Sequence, residues 1–489
     1  MPLCRQRLRT RQQMANVVPA GLVEVPLRAA LTVLTLLLLA GCALEPAAVP
    51  PPPSTATAAA QTPQVWGSRG PLSRRQADRV LAQLTRETVN ADILARHIAI
   101  EQAVAGNRVY AGNQVRVLRD GFETFPAVFA AIKGAKHTLW LEYYIFEDVT
   151  CDGVRLSDAL LERHAAGVQV AVLYDGIGSL GTPREVFERL RAAGIEVRAF
   201  NPPNPLEAHG HWSLNDRDHR KILVADGRLG IIGGINLSST YQSSTPGSAP
   251  VPSGDHKTGT VEYWRDTDVQ IEGPAVADLA RLFSRHWVDQ GGEPLETAAP
   301  PAGEQAAGQL VRILGSTPGA FAPRYYATLL SSIRIAQERI RVSAAYFVPT
   351  HQEKRLLIRA ARRGVDVQLL LPAHSDSAAA LAVQRSTYEE LLAAGIKIYE
   401  RDHVILHSKC VVVDGVWSVL GSSNFDHRSV LFNDEVDAVI LGRPAAQALE
   451  QLFDEDMQAA HRVELSTWRQ RPFGERFREW IYRTMTGVL

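Results

Sequence analysis

HRKILVADGRLGIIGGIN at residues 219–236 and HSKCVVVDGVWSVLGSSN at residues 407–424 follow one pattern: HxK, four residues, Asp, six residues, Gly-Gly or Gly-Ser, one residue, then Asn. The apolar runs ILVA and CVVV read as strands. Residues two apart on a strand face the same way, so His219 shares a face with Lys221 and His407 with Lys409. Asp226-Gly227 and Asp414-Gly415 are favoured two-residue hairpin turns. Folding back at those turns would set His219 opposite Gly234 and His407 opposite Ser422. Small residues there (Gly233, Gly234, Gly421 and Ser422) would let a phosphate approach backbone N–H groups, with Asn236 and Asn424 donating to the same anion. Each Asp lies about 16 Å from its Lys along an extended strand. Asp226 and Asp414 therefore read as structural turn residues.

Outward from the two motifs the chain repeats itself. AIKGAKHTLWLEYYIFED (131–148) is echoed by SIRIAQERIRVSAAYFVP (332–349), and HAAGVQVAVLYDGIGS (164–179) by ARRGVDVQLLLPAHSDS (361–377). RAAGIEV (191–197) likewise matches LAAGIKI (392–398). Each unit alternates a helical pattern closing on Gly with a short β-branched strand. Continuous apolar strands such as 168–173 and 365–371 predict sheets covered by helices on both faces. The expectation is α/β: two similar α-β-α sandwich lobes from an internal duplication, at 67–290 and 309–465, joined by a Gly/Pro/Ala-rich linker, 291–308. A Ser/Pro/Gly-rich stretch, 242–259, reads as a loop inserted into the first lobe alone.

The 489 residues carry 52 Lys+Arg against 52 Asp+Glu and are 46% hydrophobic, which excludes a disordered or fibrous chain. Zero net charge argues against a protein devoted to gripping nucleic acid, so no nucleic-acid partner is expected. Four cysteines cannot build a disulfide framework. The N-terminus reads as an export signal, 1–41: arginines 5, 7, 9 and 11, then an apolar run, 29–40, too short to span a membrane. Leu39-Ala40-Gly41-Cys42 resembles a bacterial lipobox. That resemblance implies an exported lipoprotein acylated on Cys42, on the periplasmic face of the outer membrane in a Gram-negative cell; an ordinary signal peptide with a chance cysteine and an uncleaved anchor are the alternatives. Met14 is an alternative start. Residues 42–66 include Pro50 to Pro53 and read as an extended tether. Cys151 and Cys410 then remain; Cys410 reads as a buried thiol in a strand, and nothing in the sequence pairs it with Cys151.

The chain resembles the phospholipase D superfamily, with both of its HKD motifs, from about residue 115 to about residue 460. Within it, GSSNFDHRSVLFNDE (421–435), YFVP (346–349), RGVDVQLLLP (363–372) and YEELLAAGIKIYE (388–400) look like bacterial cardiolipin synthases. The resemblance implies one active site at the lobe interface, acting without a cofactor or metal. One histidine attacks phosphorus to give a phosphohistidine, and the other protonates the departing alcohol and deprotonates the incoming one. By family analogy His219 is the nucleophile and His407 the general acid/base. Lys221, Lys409, Asn236 and Asn424 would surround the phosphoryl oxygens. Asp266 and Glu435 are candidates to orient the histidines. The implied activity is transfer of a phosphatidyl group to phosphatidylglycerol, with phosphatidylethanolamine a second candidate lipid, by a monomer at a membrane surface. A phospholipase D-type hydrolase shares the same chemistry with water as acceptor, and a nuclease remains a further alternative.

His209 and His211 precede the first motif and read as loop residues or headgroup contacts. Tyr143, Tyr144 and Tyr346 sit at strand ends, where pocket lining and core packing explain them equally. Phe473, Phe477, Trp480, Ile481 and Val488 fall near one face of a C-terminal helix, 466–489, with Arg476 and Arg483 alongside. That pattern suits either an anionic lipid surface or packing on the second lobe.

Overall fold

The apolar runs between the turn signals form the strands of two matching sheets. The computed structural model describes residues 46–51, 64–86, 91–106, 108–209, 212–213, 215–244, 263–296, 308–319, 323–483 and 486. The signal segment, Cys42, His211, Val488, most of the 242–259 insertion and residues 297–307 of the linker lie outside them. In the first lobe, Val109–Arg119, Thr267–Glu272, Leu229–Gly233 and Lys221–Ala225 pair antiparallel in that spatial order, followed by Thr138–Tyr143. Gln169–Asp175 and Glu196–Phe200 then extend the sheet in parallel. The second lobe repeats that order with Gln309–Ser316, Asn433–Leu441, Trp417–Gly421, Lys409–Val413, Arg339–Ala344, Asp366–Pro372 and Lys397–Arg401. The two sheets join edge to edge where Gln309–Ser316 pairs with Val109–Arg119. The seam removes two exposed edges.

Three layers of apolar side chains hold this sheet. One packs the outer helices of the first lobe, among them Asp120–Gly134 and Leu156–Ala165, under Leu139, Leu141 and Leu223. A second lies under Val276–Asp289 and Arg443–Gln458 and is shared by both lobes, running from Trp140 and Ile222 to Val412 and Leu420. The third packs Arg324–Ile335 and His351–Arg362 on the far lobe.

Three expectations need correction. The helices Arg74–Arg86 and Ala91–Ala105 fall in the first half of the chain, yet their apolar side chains, Leu84, Leu94 and Ile98 among them, belong to the core of the second lobe. Segment 42–66 is not a uniform tether either: Val49 is buried in that same core, and Val65–Gly67 is a strand beside Val109. The C-terminal helix is two, Leu465–Arg469 and Phe473–Arg483, broken at Pro472, which cannot continue the first one.

Both hairpins also differ from the expected register. Asp226 and Gly227 take φ of 52° and 60°, as an Asp-Gly turn requires, and Ala225 accepts from the Arg228 N–H. The ladder resumes one residue later, with Ile222 facing Ile232 and Cys410 facing Leu420. The extra residues, Arg228 and Val416, have their carbonyls taken by the N–H groups of Gly273 and Gly442 at 3.2 and 2.8 Å. Those bonds fix a bulge at each turn.

Candidate active site

Two short inter-lobe pairings bring the motifs together. Arg217–Asp218, leading into His219, lies parallel to Asn433 and Asp434, which lead into Glu435. Val404–Leu406, leading into His407, lies parallel to Tyr263–Arg265, which leads into Asp266. The His219 N–H bonds the Asp434 carbonyl at 2.9 Å, and the His407 N–H bonds that of Arg265 at 2.7 Å. Each histidine thus enters the interface beside a carboxylate from the other lobe.

The side chains complete the exchange. His219 Nδ1 lies 3.0 and 3.1 Å from the two oxygens of Glu435, and His407 Nδ1 lies 2.7 Å from Asp266 Oδ2. A carboxylate only accepts, so the Nδ1 beside it carries a proton, which on His219 leaves Nε2 as the attacking nitrogen. Glu435 accepts as well from Ser429 Oγ at 2.8 Å, Asn433 Nδ2 at 3.1 Å and the Ser422 hydroxyl. Lys221 Nζ donates to the His219 carbonyl at 2.6 Å and lies 5.3 Å from the Tyr144 ring centre. Lys409 Nζ stands 2.7 Å from His407 Nδ1 and 3.2 Å from Nε2, and donates to the His407 carbonyl.

Burial controls the charges. It pulls the His219 imidazole below its ordinary value; Glu435 opposes that and Lys221 adds to it. Burial and the neighbouring Lys409 hold His407 well below the ordinary range. Lys221 is pushed down to about 7 by burial, with Glu435 opposing and Lys409 adding. Burial lifts Asp266 to about 6 against Lys409, the Thr267 N–H and Lys221. Burial alone would also lift Glu435, but His219, Lys221 and Ser422 outweigh it and keep that carboxyl below its ordinary value. The arrangement is two buried imidazoles, two lysines and two buried carboxylates, which suits attack on an anionic phosphodiester.

The family described as "Cardiolipin synthase, PLD-like domain" matches residues 128–245 and 329–457. A cardiolipin synthase of Geobacillus kaustophilus is 34% identical over 385 residues, 77% of this chain and 72% of that protein. The chain belongs to the cardiolipin synthase family of phospholipase D-like enzymes. Cardiolipin synthase A of Pseudomonas aeruginosa is 32% identical over 78% of this chain and 77% of that one. Among solved structures, the phosphatidylserine synthase of Haemophilus influenzae superposes with a TM-score of 0.57 at 14% identity, covering 81% of this chain and all of that one. At that identity the likeness concerns the fold.

In this cardiolipin synthase-family chain the two motif aspartates are structural, as their spacing from the lysines implied. The Asp226 carboxylate accepts from the backbone N–H groups of Lys136, His137 and Thr138, at 2.7–2.9 Å. Asp414 does the same for Gln337, Glu338 and Arg339, with His97 Nε2 at 3.3 Å. Both tie a hairpin to the start of the neighbouring strand, away from the histidines. The small residues have a different reason from the expected phosphate cradle. A Cβ at Gly233 or Gly234 would sit 2.1 or 2.3 Å from the carboxylates of Asp268 and Asp266, and one at Gly421 would lie 2.3 Å from Asp437. The N–H groups of Gly234 and Ser422 already bond the carbonyls of Thr267 and Val436.

Asn236 accepts from the Ile145 N–H and donates to Tyr241 Oη, which lies 3.2 Å from His407 Nδ1. Asn424 keeps its buried side-chain oxygen without a hydrogen bond. Tyr144 and Tyr346 meet the rings of His219 and His407 at 5.3 and 6.1 Å, whereas Tyr143 is buried in the first-lobe core. His209 lies away from the motifs, lining a cavity of about 700 Å³ with Tyr174 and Arg198. Cys151 and Cys410 are free thiols.

Sequence reasoning missed Tyr241, Trp264, Asp268, Asp437 and Arg220. The Trp264 ring lies tilted against His407, 4.8 Å between ring centres. Asp268 and Asp437 stand two residues beyond the orienting carboxylates and accept from the N–H groups of Ile235 and Ser423. That same-face spacing was a readable signal. Arg220, the middle residue of the first HxK, is buried and reaches Glu142, the Ser316 carbonyl and Asp434 at 3.2, 2.9 and 2.8 Å. Glu142, Asp218 and His286 are spaced like metal ligands, but the Arg220 guanidinium already supplies the positive charge there.

Proposed function

We propose that this chain is a phosphatidyltransferase that makes cardiolipin, with phosphatidylglycerol as acceptor and with an acyl anchor on Cys42 at the periplasmic face of an outer membrane. His219 Nε2 attacks the donor phosphorus, forming a P–N bond as the P–O bond to the leaving headgroup breaks. His407, protonated on both nitrogens with its Nδ1–H held by Asp266, gives its Nε2 proton to that oxygen. His407 then takes the proton of the acceptor hydroxyl, whose oxygen displaces His219. The reciprocal pairing of each histidine with the other lobe's carboxylate carries this reading. The ionised Glu435 matches the positive charge His219 gains on attack, which favours His219 as nucleophile. Asp266, lifted toward the histidine range, suits a group that passes protons.

The test is turnover of labelled phosphatidylglycerol in mixed micelles, with and without phosphatidylethanolamine, products resolved by chromatography and mass spectrometry. Cardiolipin with released glycerol or ethanolamine is the expected result. Phosphatidic acid alone would make the enzyme a hydrolase, and near-normal activity of His219→Ala or His407→Ala would sink the two-histidine mechanism.

A further inference from the structure

We propose that the helix Phe473–Arg483 is a docking surface for a bilayer of anionic phospholipid, set beside the active site so that the enzyme rests on the sheet of lipid that supplies it. The proposal builds on the phospholipid reading above. Phe473, Phe477, Trp480 and Ile481 are 79%, 50%, 63% and 45% exposed, on one face of the helix. Their rings form a continuous row, with Phe473 and Trp480 at 6.0 and 5.9 Å from Phe477. The opposite face holds the helix to the protein. Glu479 pairs with Arg471, and Tyr482 packs against Val348, Ala380 and Val383. Arg476, Arg478 and Arg483 flank the apolar row and are exposed, against one exposed acid, Glu475. An aromatic ridge edged by arginines matches an interface with acyl chains below and phosphates around it.

Two further observations place this ridge. Tyr346, whose ring meets His407, packs against the same small apolar group as Tyr482, so one layer of side chains separates the helix from a ring that touches the catalytic histidine. Val49 is clipped to the same region: its N–H and carbonyl bond the Gln352 side chain at 3.0 and 2.7 Å. Gln352 lies in the first turn of His351–Arg362, just after Val348. Cys42 precedes Val49 by seven positions, so an acyl group on Cys42 would stay within about 25 Å of that turn. Among the described residues no helix is long and apolar enough to cross a membrane, so contact of this kind is interfacial.

The experiment uses the full-length protein on vesicles of phosphatidylglycerol and phosphatidylethanolamine with brominated acyl chains. Trp480 fluorescence is expected to be quenched, a component that Trp480→Phe lacks and that weakens on vesicles of zwitterionic lipid alone. The double variant Phe477→Glu, Trp480→Glu should lose at least about tenfold in turnover on vesicles. It should keep wild-type turnover of short-chain phosphatidylglycerol dissolved as monomers. An unquenched Trp480, or unchanged turnover on vesicles, overturns the proposal. So does a dimer in sedimentation that the double variant dissociates, since the ridge would then cover a second copy. Quenching without turnover on either lipid form would leave the docking surface standing and remove the phosphatidyltransferase reading.

Discussion

Glu435→Gln isolates the charge of one orienting carboxylate while keeping its shape. Glu435 is fully buried and accepts from His219, Ser422, Ser429 and Asn433. The amide oxygen can still accept from His219 Nδ1, so the ring keeps its orientation, and the serine hydroxyls can reverse to suit the new NH2. What disappears is the negative charge 3.0 Å from Nδ1. Unit charges at that distance attract by about 5 kcal/mol at an effective dielectric of about 20. The imidazole gains roughly half a charge at the transition state, so about 2–3 kcal/mol of differential stabilisation is lost. That corresponds to about a 30- to 160-fold fall in kcat, with KM little changed. The assay is the initial rate of cardiolipin formation in mixed micelles over a range of phosphatidylglycerol, beside a thermal melt. A variant that melts like the wild type and keeps kcat within about threefold would refute the argument that Glu435 stabilises positive charge on His219.

Asp226→Ala strips three backbone N–H groups of their acceptor and should cost about 2–3 kcal/mol of stability, read as a lower denaturation midpoint, with near-normal activity per folded molecule. Arg220→Met leaves Glu142, Asp434 and Asp218 buried without their cation and should cost about 3–5 kcal/mol, seen as a collapsed melting temperature or loss of soluble protein. The pH profile of kcat/KM should be a narrow bell. Asp266 must be ionised, so activity falls as pH drops through about 6, and Lys221 must be cationic, so it falls as pH rises through about 7. Asp266→Asn should abolish the acid limb, and a flat profile between pH 5 and 8 would contradict both assignments.

The duplication and the histidine–lysine spacing were legible because each is written in local sequence: apolar runs of strand length, Gly at helix ends, His and Lys two apart. The hairpin register was not. It depends on Gly273 and Gly442, which capture the carbonyls of Arg228 and Val416 from elements distant in sequence. The pairing of His219 with Glu435, 216 positions apart, could be named only as candidates, since the inter-lobe strands that align them are two or three residues long. Arg220 escaped notice because burial, invisible in sequence, turns an ordinary surface residue type into the hub of three acids. The glycines were read for the right smallness and the wrong neighbour: they admit carboxylates.

The helices Arg74–Arg86 and Ala91–Ala105 carry a consequence for how the chain is built. They leave the ribosome early, yet Arg324–Ile335, the helix that Ala91–Ala105 packs against, follows by more than two hundred residues. At about 5–20 residues per second the nascent chain holds Leu84, Leu94 and Ile98 without their partners for about 10–40 s. The first sheet can mature in that interval, but the chain cannot close into its final topology until the second half arrives to receive the strap. Such long-range closure is slow, and it exposes an amphipathic pair to holdases or to a neighbouring nascent chain. Once closed, the same strap links the fates of the two halves. The second lobe is then finished by residues made before the first.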